Sequence, residues 1–199
     1  MARSSSRKQS PQPLSQLRII GGQWRGRKLQ FAPVEGLRPT GDRLRETLFN
    51  WLQFYLPGAH CLDLFAGSGA LGLEALSRGA ASVDFVELNP LAARTLKQQL
   101  QLLETMDGQV HNCRAVNFLG SGNKRYDIIF IDPPFADDLW QESLSALTDR
   151  LSQGALIYIE TPRDTVLSTA PDWSLIKEKR AGQVCMRLYR SDSAASADY

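Results

Sequence analysis

The chain has 199 residues, 43% of them hydrophobic and 22% charged, with a formal net charge of +2. That length and balance suit one soluble domain with a small appendage, and no apolar run approaches the roughly 18–20 residues that span a bilayer. Cys61, Cys113 and Cys185 are odd in number and far apart, with no C-x-x-C pair. This argues against a zinc site or a disulfide framework and for a reducing, cytoplasmic setting.

The modest net charge hides an asymmetry. Through Arg45 there are ten Lys and Arg against Glu35 and Asp42, a net +8, and the remainder carries −6. A basic first quarter on an acidic body points to a polyanion reached from one side, or to a solubilising tail. Residues 1–16 are rich in Ser, Gln and Pro, lack the apolar stretch of a secretory signal and are expected to be a disordered basic tail. Residues 17–57 read as a hairpin-and-helix extension. In it, 17–20 and 27–31 are the strands, Gly21-Gly22 a turn, and 42–56 a helix whose apolar residues Leu44, Leu48, Trp51, Leu52 and Tyr55 recur at helical spacing before Pro57-Gly58 stops it.

From residue 58 to 190 the pattern alternates. Strands are expected at 60–65, 82–87, 110–114, 126–132 and 155–160, and helices at 70–78, 90–103 and 138–151. A closing antiparallel pair follows at 173–179 and 183–189, before a polar tail at 191–199. Such alternation implies an α/β fold with a mostly parallel sheet covered on both faces. A compact domain without an exposed apolar helix face is expected to be a monomer.

In such a sheet, ligands bind at the carboxyl ends of the strands. The first of these strands runs into Asp63-Leu-Phe65-Ala66-Gly67-Ser68-Gly69, and Glu87 ends the second about 20 residues on, where a carboxylate holds ribose hydroxyls. Gly67-x-Gly69-x-x-Gly72 also matches the dinucleotide fingerprint, so NAD is a competing ligand. Two features favour S-adenosyl-L-methionine. An acid at Asp63 suits the α-ammonium of a methionine moiety, and hydride transfer has no use for what ends the fourth strand. That feature is Asp132-Pro133-Pro134-Phe135. An acid and a free carbonyl can hold both N–H donors of an exocyclic base amine before a methyl group, and an aromatic ring can stack on the base. The bland alternative is a strand end with Phe135 filling the core. Methylation of an amine at a sulfonium needs no metal, and neither His60 nor His111 has metal-ligand spacing. Trp51, Trp140 and Trp173 read as core residues.

Four stretches, 18–28, 37–51, 63–75 and 132–135, resemble the bacterial 16S ribosomal RNA guanine-N2 methyltransferase (RsmD) family, and the likeness runs over about residues 17–189. It implies a Rossmann-like methyltransferase fold with strand order 3-2-1-4-5-7-6. It also implies methylation of one guanine N2 in 16S ribosomal RNA, within an assembling small subunit. Beside the family, Arg18, Trp24, Arg25, Arg27, Lys28, Arg38 and Arg43 become candidate RNA contacts, with Arg45 next to them. Trp24 could equally be a core plug of the hairpin. Thr40 and Asp42 are expected to close over the cofactor site, and Leu88 to border it. Related enzymes often carry Asp-Ala after the third strand. Here Arg114-Ala115 stands there, which leaves the adenine contact to backbone near Ala115, or to Asn117. A DNA adenine-N6 methyltransferase, and a non-catalytic RNA-binding assembly factor, are the alternatives. The first would need a target-recognition insert for which the chain has no room; the second leaves Asp132 and the glycines without a role.

Overall fold

The computed structural model describes residues 15–31, 41–136 and 138–192. Arg38, Thr40, the bulk of the expected tail at 1–16 and residues 193–199 lie outside the described residues. The chain begins with an antiparallel pair, β1 (Ser15–Arg18) and β2 (Lys28–Phe31), and then α1 (Asp42–Leu52). It continues through β3 (His60–Asp63), α2 (Ala70–Ser77), β4 (Ser82–Val86), α3 (Pro90–Leu102), β5 (Gly108–His111), a short α4 (Ala115–Leu119) and β6 (Tyr126–Ile131). It closes with α5 (Trp140–Leu147), β7 (Leu151–Pro162), β8 (Trp173–Ala181) and β9 (Val184–Ser191).

Strands β3 to β9 form one sheet in the order β5-β4-β3-β6-β7-β9-β8. The hairpin takes the first two labels, so a count confined to the sheet gives 3-2-1-4-5-7-6. The first five strands in that order are parallel, and β9 lies antiparallel between β7 and β8. The chain winds outward from β3 to β5 and then returns to β6 on the other side, which makes the β3/β6 boundary the switch point where such sheets hold ligands. One face of the sheet packs against the hairpin, α1, α2 and α3; the other packs against α4 and α5. Trp140 and Trp173, read as core residues, are buried there, and Trp51 is half-buried against the opposite face.

Helix α2 organises the first face. All eight of its residues are buried, Glu74 and Ser77 included. Because a buried carboxylate needs partners, the loop of the hairpin supplies them: Ile20 N and Gly21 N each donate to Glu74 at 2.8 Å, and Arg78 Nε donates at 2.6 Å. Ser77 donates to the Gly21 carbonyl at 2.6 Å and accepts from Trp24 N at 3.0 Å. The loop lies so close that a Cβ at Gly22, where φ is +75°, would collide with the Ser77 carbonyl. Arg45 closes the arrangement. It is buried and not part of any exposed basic surface, because its Nη2 donates to the Arg18 carbonyl at 2.8 Å and to Asp42 at 2.6 Å, tying α1 to β1.

Several boundaries differ from the sequence reading for local reasons. β1 starts at Ser15, two residues inside the expected tail, since it pairs through Ser15↔Phe31. α1 ends at Leu52 and not Leu56: Leu52 O accepts from both Tyr55 N and Leu56 N in a turn that buries Leu56 and leaves Phe54 85% exposed. β7 begins at Leu151, where it pairs with Tyr126 across a bulge, so the expected helix 138–151 shortens to α5 plus a single 3₁₀ turn, Thr148–Arg150. The five-residue α4 is too short to leave a periodicity.

Replacing Glu74 with Ala should leave the Ile20 and Gly21 amides without an acceptor. The expected cost is about 2–4 kcal/mol, read by urea denaturation, with hydrogen-exchange protection lost first in residues 15–31. Uniform loss across the whole chain would show that Glu74 does not act through the hairpin.

Candidate active site

The carboxyl ends of the five parallel strands open on one edge of the sheet, and a cavity of about 910 Å³ lies across them. That is near the top of the range for small-molecule sites, with room for more than one ligand. Its floor is the loop after β3. Leu64 N bonds Phe130 O at 3.1 Å and Ala66 N bonds Val86 O at 2.9 Å, so the loop is anchored to both neighbouring strands before it turns. Gly69 then caps α2 in a left-handed conformation, φ +79°, with Leu96 and Leu73 packed where a Cβ would stand. Gly72 serves packing: a Cβ there would strike the Phe85 ring.

Two acids hold this loop. Glu87, just past β4, accepts from Gly67 N at 2.7 Å with one oxygen and from Asn89 N at 2.6 Å with the other, and its side chain still lines the cavity. Asn89 in turn caps α3 by accepting from Leu91 N and Ala92 N. Asp63 accepts from Gly72 N at 2.9 Å. It is 2% exposed, and burial pushes its pKa up from 3.8 to about 7; the Gly72 hydrogen bond pulls the other way and the Glu87 charge adds to the rise. Phe65 and Ser68 are half-buried, Ala66 is buried, and Leu88 is exposed on the rim.

Next along the edge, Cys113, Arg114, Ala115 and Val116 line the cavity where α4 begins. Asn117 is exposed and is not among the lining residues. Asn112, unremarkable in the sequence, straps the ends of β4 and β5 together by donating to the Glu87 and Leu88 carbonyls at 2.8 and 2.9 Å.

Residues 132–135 end β6 beside the glycine loop. Asp132 is half-buried, Pro133 buried, and Pro134 exposed. Phe135 is 41% exposed with its ring 5.9 Å from that of Trp140, so it stands on the rim and does not fill the core. The sequence reading missed other lining residues: Gly41 and Leu44 at the start of α1, Leu139, Glu142 and Ser143 at the start of α5, Val184 from β9, and Glu160 near the end of β7.

The basic candidates divide. Arg18, Arg25 and Arg43 are exposed and share a surface hollow with Ile20, Asp42 and Glu46. Lys28 is exposed on β2; Arg27 is exposed but donates to the Leu102 carbonyl at 2.9 Å. Trp24 is half-buried against the core, so the packing favours the plug over a stacking surface.

The raised pKa of Asp63 has a stability consequence. Its folded state holds the proton more tightly than the unfolded state, so this group's contribution is intact below about pH 4 and is lost as pH rises to about 7. Asp63→Asn keeps an acceptor for Gly72 N. It should therefore stabilise the ligand-free protein more at pH 8 than at pH 5, by on the order of 2 kcal/mol in urea denaturation. Equal gains at both pH values would rule out the buried charge as the cause.

The family model described as conserved hypothetical protein 95 matches residues 17–190. The Escherichia coli K12 protein named ribosomal RNA small subunit methyltransferase D is 48% identical over 186 residues, covering 92% of this chain and 94% of that one. The solved structure of an Escherichia coli methyltransferase candidate, yhhF, is 48% identical with a TM-score of 0.83, over 90% of this chain and 100% of that chain. A distant structure, a methyltransferase candidate complexed with SAH, has a TM-score of 0.72 at 14% identity over 93% of this chain and 58% of that one, a likeness of fold alone. With a match that takes in the hairpin, the glycine loop and the strand-end acids together, the chain belongs to the conserved hypothetical protein 95 family, that of ribosomal RNA small subunit methyltransferase D.

Proposed function

We propose that the chain transfers a methyl group from S-adenosyl-L-methionine to the exocyclic N2 of one guanine in 16S ribosomal RNA, presented within an assembling small subunit. One observation carries the reading: residues 132–135 and the glycine loop open into a single cavity from the adjacent strands β6 and β3. The name of the Escherichia coli relative supports ribosomal RNA as the substrate, and the family resemblance supports guanine N2. The reading places the protein in the cytoplasm, where subunits assemble. It needs only one copy of the chain, because every residue named belongs to it.

The residues present fit the methyl donor. Glu87 is held from behind by two amides at the second strand end, the position suited to ribose hydroxyls. Asp63, buried under the loop, suits the α-ammonium directly or through water, with Phe65 to Gly69 as the backbone cradle. Leu88 and Ala115 stand where an adenine ring would pass, and Gly41, the next residue in the sequence after Thr40, lines the cavity. S-Adenosyl-L-methionine supplies an electrophilic methyl group on a sulfonium. Asp132 and the Pro133 carbonyl accept the two N–H donors of the guanine amine and so aim the N2 lone pair. They also stabilise the positive charge that develops on nitrogen. The proton that nitrogen loses passes to the Asp132 carboxylate. Phe135 offers its exposed ring for base stacking. Outside the cavity, Arg18, Arg25, Arg27, Lys28 and Arg43 follow the RNA backbone, and Arg38, which lies outside the described residues, is assigned the same role.

Incubation with labelled S-adenosyl-L-methionine and unmodified 16S RNA, naked or as small subunits, should place label on one guanine N2; label on adenine would overturn the reading. Asp132→Ala should lower transfer by roughly a hundredfold or more while methyl-donor binding persists. Neutralising Arg25, Arg27 and Lys28 together should weaken RNA binding and flatten its dependence on salt by about two to three units of slope. An unchanged slope would return the hairpin to a structural role.

A further inference from the structure

A second carboxylate stands beside the catalytic loop with no part in the chemistry above. The last parallel pair between β6 and β7 is Ile131↔Ile159, so Asp132 and Glu160 are the next residues on neighbouring strands and rise from the same face of the sheet. Strand spacing sets their backbones about 5 Å apart. Glu160 is 6% exposed and lines the cavity. Its position is fixed on two sides: its carbonyl accepts from Trp140 Nε1 at 2.8 Å, and its Oε2 accepts from Tyr158 Oη at 2.6 Å. Tyr158 is itself fully buried, edge-on to Phe130 with ring centroids 6.4 Å apart. The Tyr158 hydroxyl thus takes one oxygen, Oε2, of the carboxylate.

A core does not retain such a group for stability. Burying a carboxylate costs free energy unless its oxygens are hydrogen-bonded, and a second acid close by adds repulsion. Burial accordingly pushes the Glu160 pKa up, against the Tyr158 hydrogen bond. A carboxylate oriented by Tyr158 and lining a cavity calls for a ligand that brings an N–H donor.

We propose that Glu160 is the specificity-determining residue for guanine, accepting the N1–H of the base whose N2 is held by Asp132 and Pro133. This rests on the guanine-N2 reading. Guanine carries N1–H and its amino group side by side on one edge, so when the amine faces Asp132 the N1–H lies toward the next strand. Adenine carries an unshared pair at N1, next to its own amino group. Placed in the same way, it would set that pair against a carboxylate and bring it no donor. A polar site that loses its partner rejects the analogue strongly, whereas an apolar pocket does not. Glu160 is thus what separates the two amines that the Asp-Pro-Pro-Phe loop alone would accept.

The test compares transfer to RNA carrying, at the mapped position, either guanine or 2,6-diaminopurine, which keeps the 2-amino group but has an acceptor at N1. Wild type should prefer guanine by roughly a hundredfold in kcat/KM. In Glu160→Gln the carboxamide can donate to diaminopurine N1, so the preference should shrink to roughly tenfold or less, with methyl-donor affinity unchanged. A purely structural role would lower both rates together and leave their ratio alone. If Glu160→Gln fails to bind the donor, Glu160→Asp serves in its place: it should lose roughly tenfold in guanine transfer and still prefer guanine, and wild-type transfer would overturn the proposal. Label on guanine N2 with an undiminished ratio in Glu160→Gln overturns the role of Glu160 alone. No label on guanine N2 in wild type overturns both readings.

Discussion

The buried carboxylate of Glu74 is the interaction on which the arrangement of the molecule depends. With three donors converging on it from Ile20, Gly21 and Arg78, it makes the hairpin and α2 one body. The same helix begins at Gly69 in the glycine loop and is gripped at Gly72 by Asp63. The basic extension and the glycine loop are therefore placed by opposite ends of eight buried residues. Without that carboxylate, the amides of Ile20 and Gly21 would lose their acceptor, and the bonds to Ser77 and the Arg45 tie to the Arg18 carbonyl would be left to orient the basic loop.

Charge is segregated in space as it is along the chain. Asp63, Glu87, Asp132 and Glu160 lie at the ends of β3, β4, β6 and β7 and all line the cavity. The exposed Arg18, Arg25 and Arg43 lie apart on the extension. An acidic interior favours a cationic sulfonium and the positive nitrogen of the transition state, whereas phosphates are drawn to the rim. One net-charge figure conceals both fields.

Much of this was legible in the residues. The glycine loop, Glu87 and residues 132–135 announce themselves because each sits where an apolar strand ends, and strand ends in parallel sheets share an edge. The helix–strand alternation was readable because the runs at 126–131 and 156–159 are too apolar for an exposed strand. What stayed hidden depends on pairing across the chain. Leu151 joins a strand only through Tyr126, and Arg45 looks like part of the basic run until β1 brings the Arg18 carbonyl to it. Glu160 is inconspicuous at the end of an apolar stretch, and only the register with β6 sets it beside Asp132. Glu74 did leave a trace, as the single acid in an otherwise apolar helix.

The order of strands also bears on how the protein is made. β9 is made after every other described strand of the sheet, yet it takes an interior place, pairing with β7 from Leu156↔Arg190 to Pro162↔Val184 and with β8 along its other edge. Until residues 184–191 leave the ribosome, β7 presents an apolar, unpaired edge of the kind that recruits other chains. Translation of residues 184–191 is thus the moment at which the nascent chain covers that edge. A truncation there would leave the loops after β3, β4 and β6 intact, removing Val184 alone from the cavity lining, and would still expose an edge of the kind that aggregates.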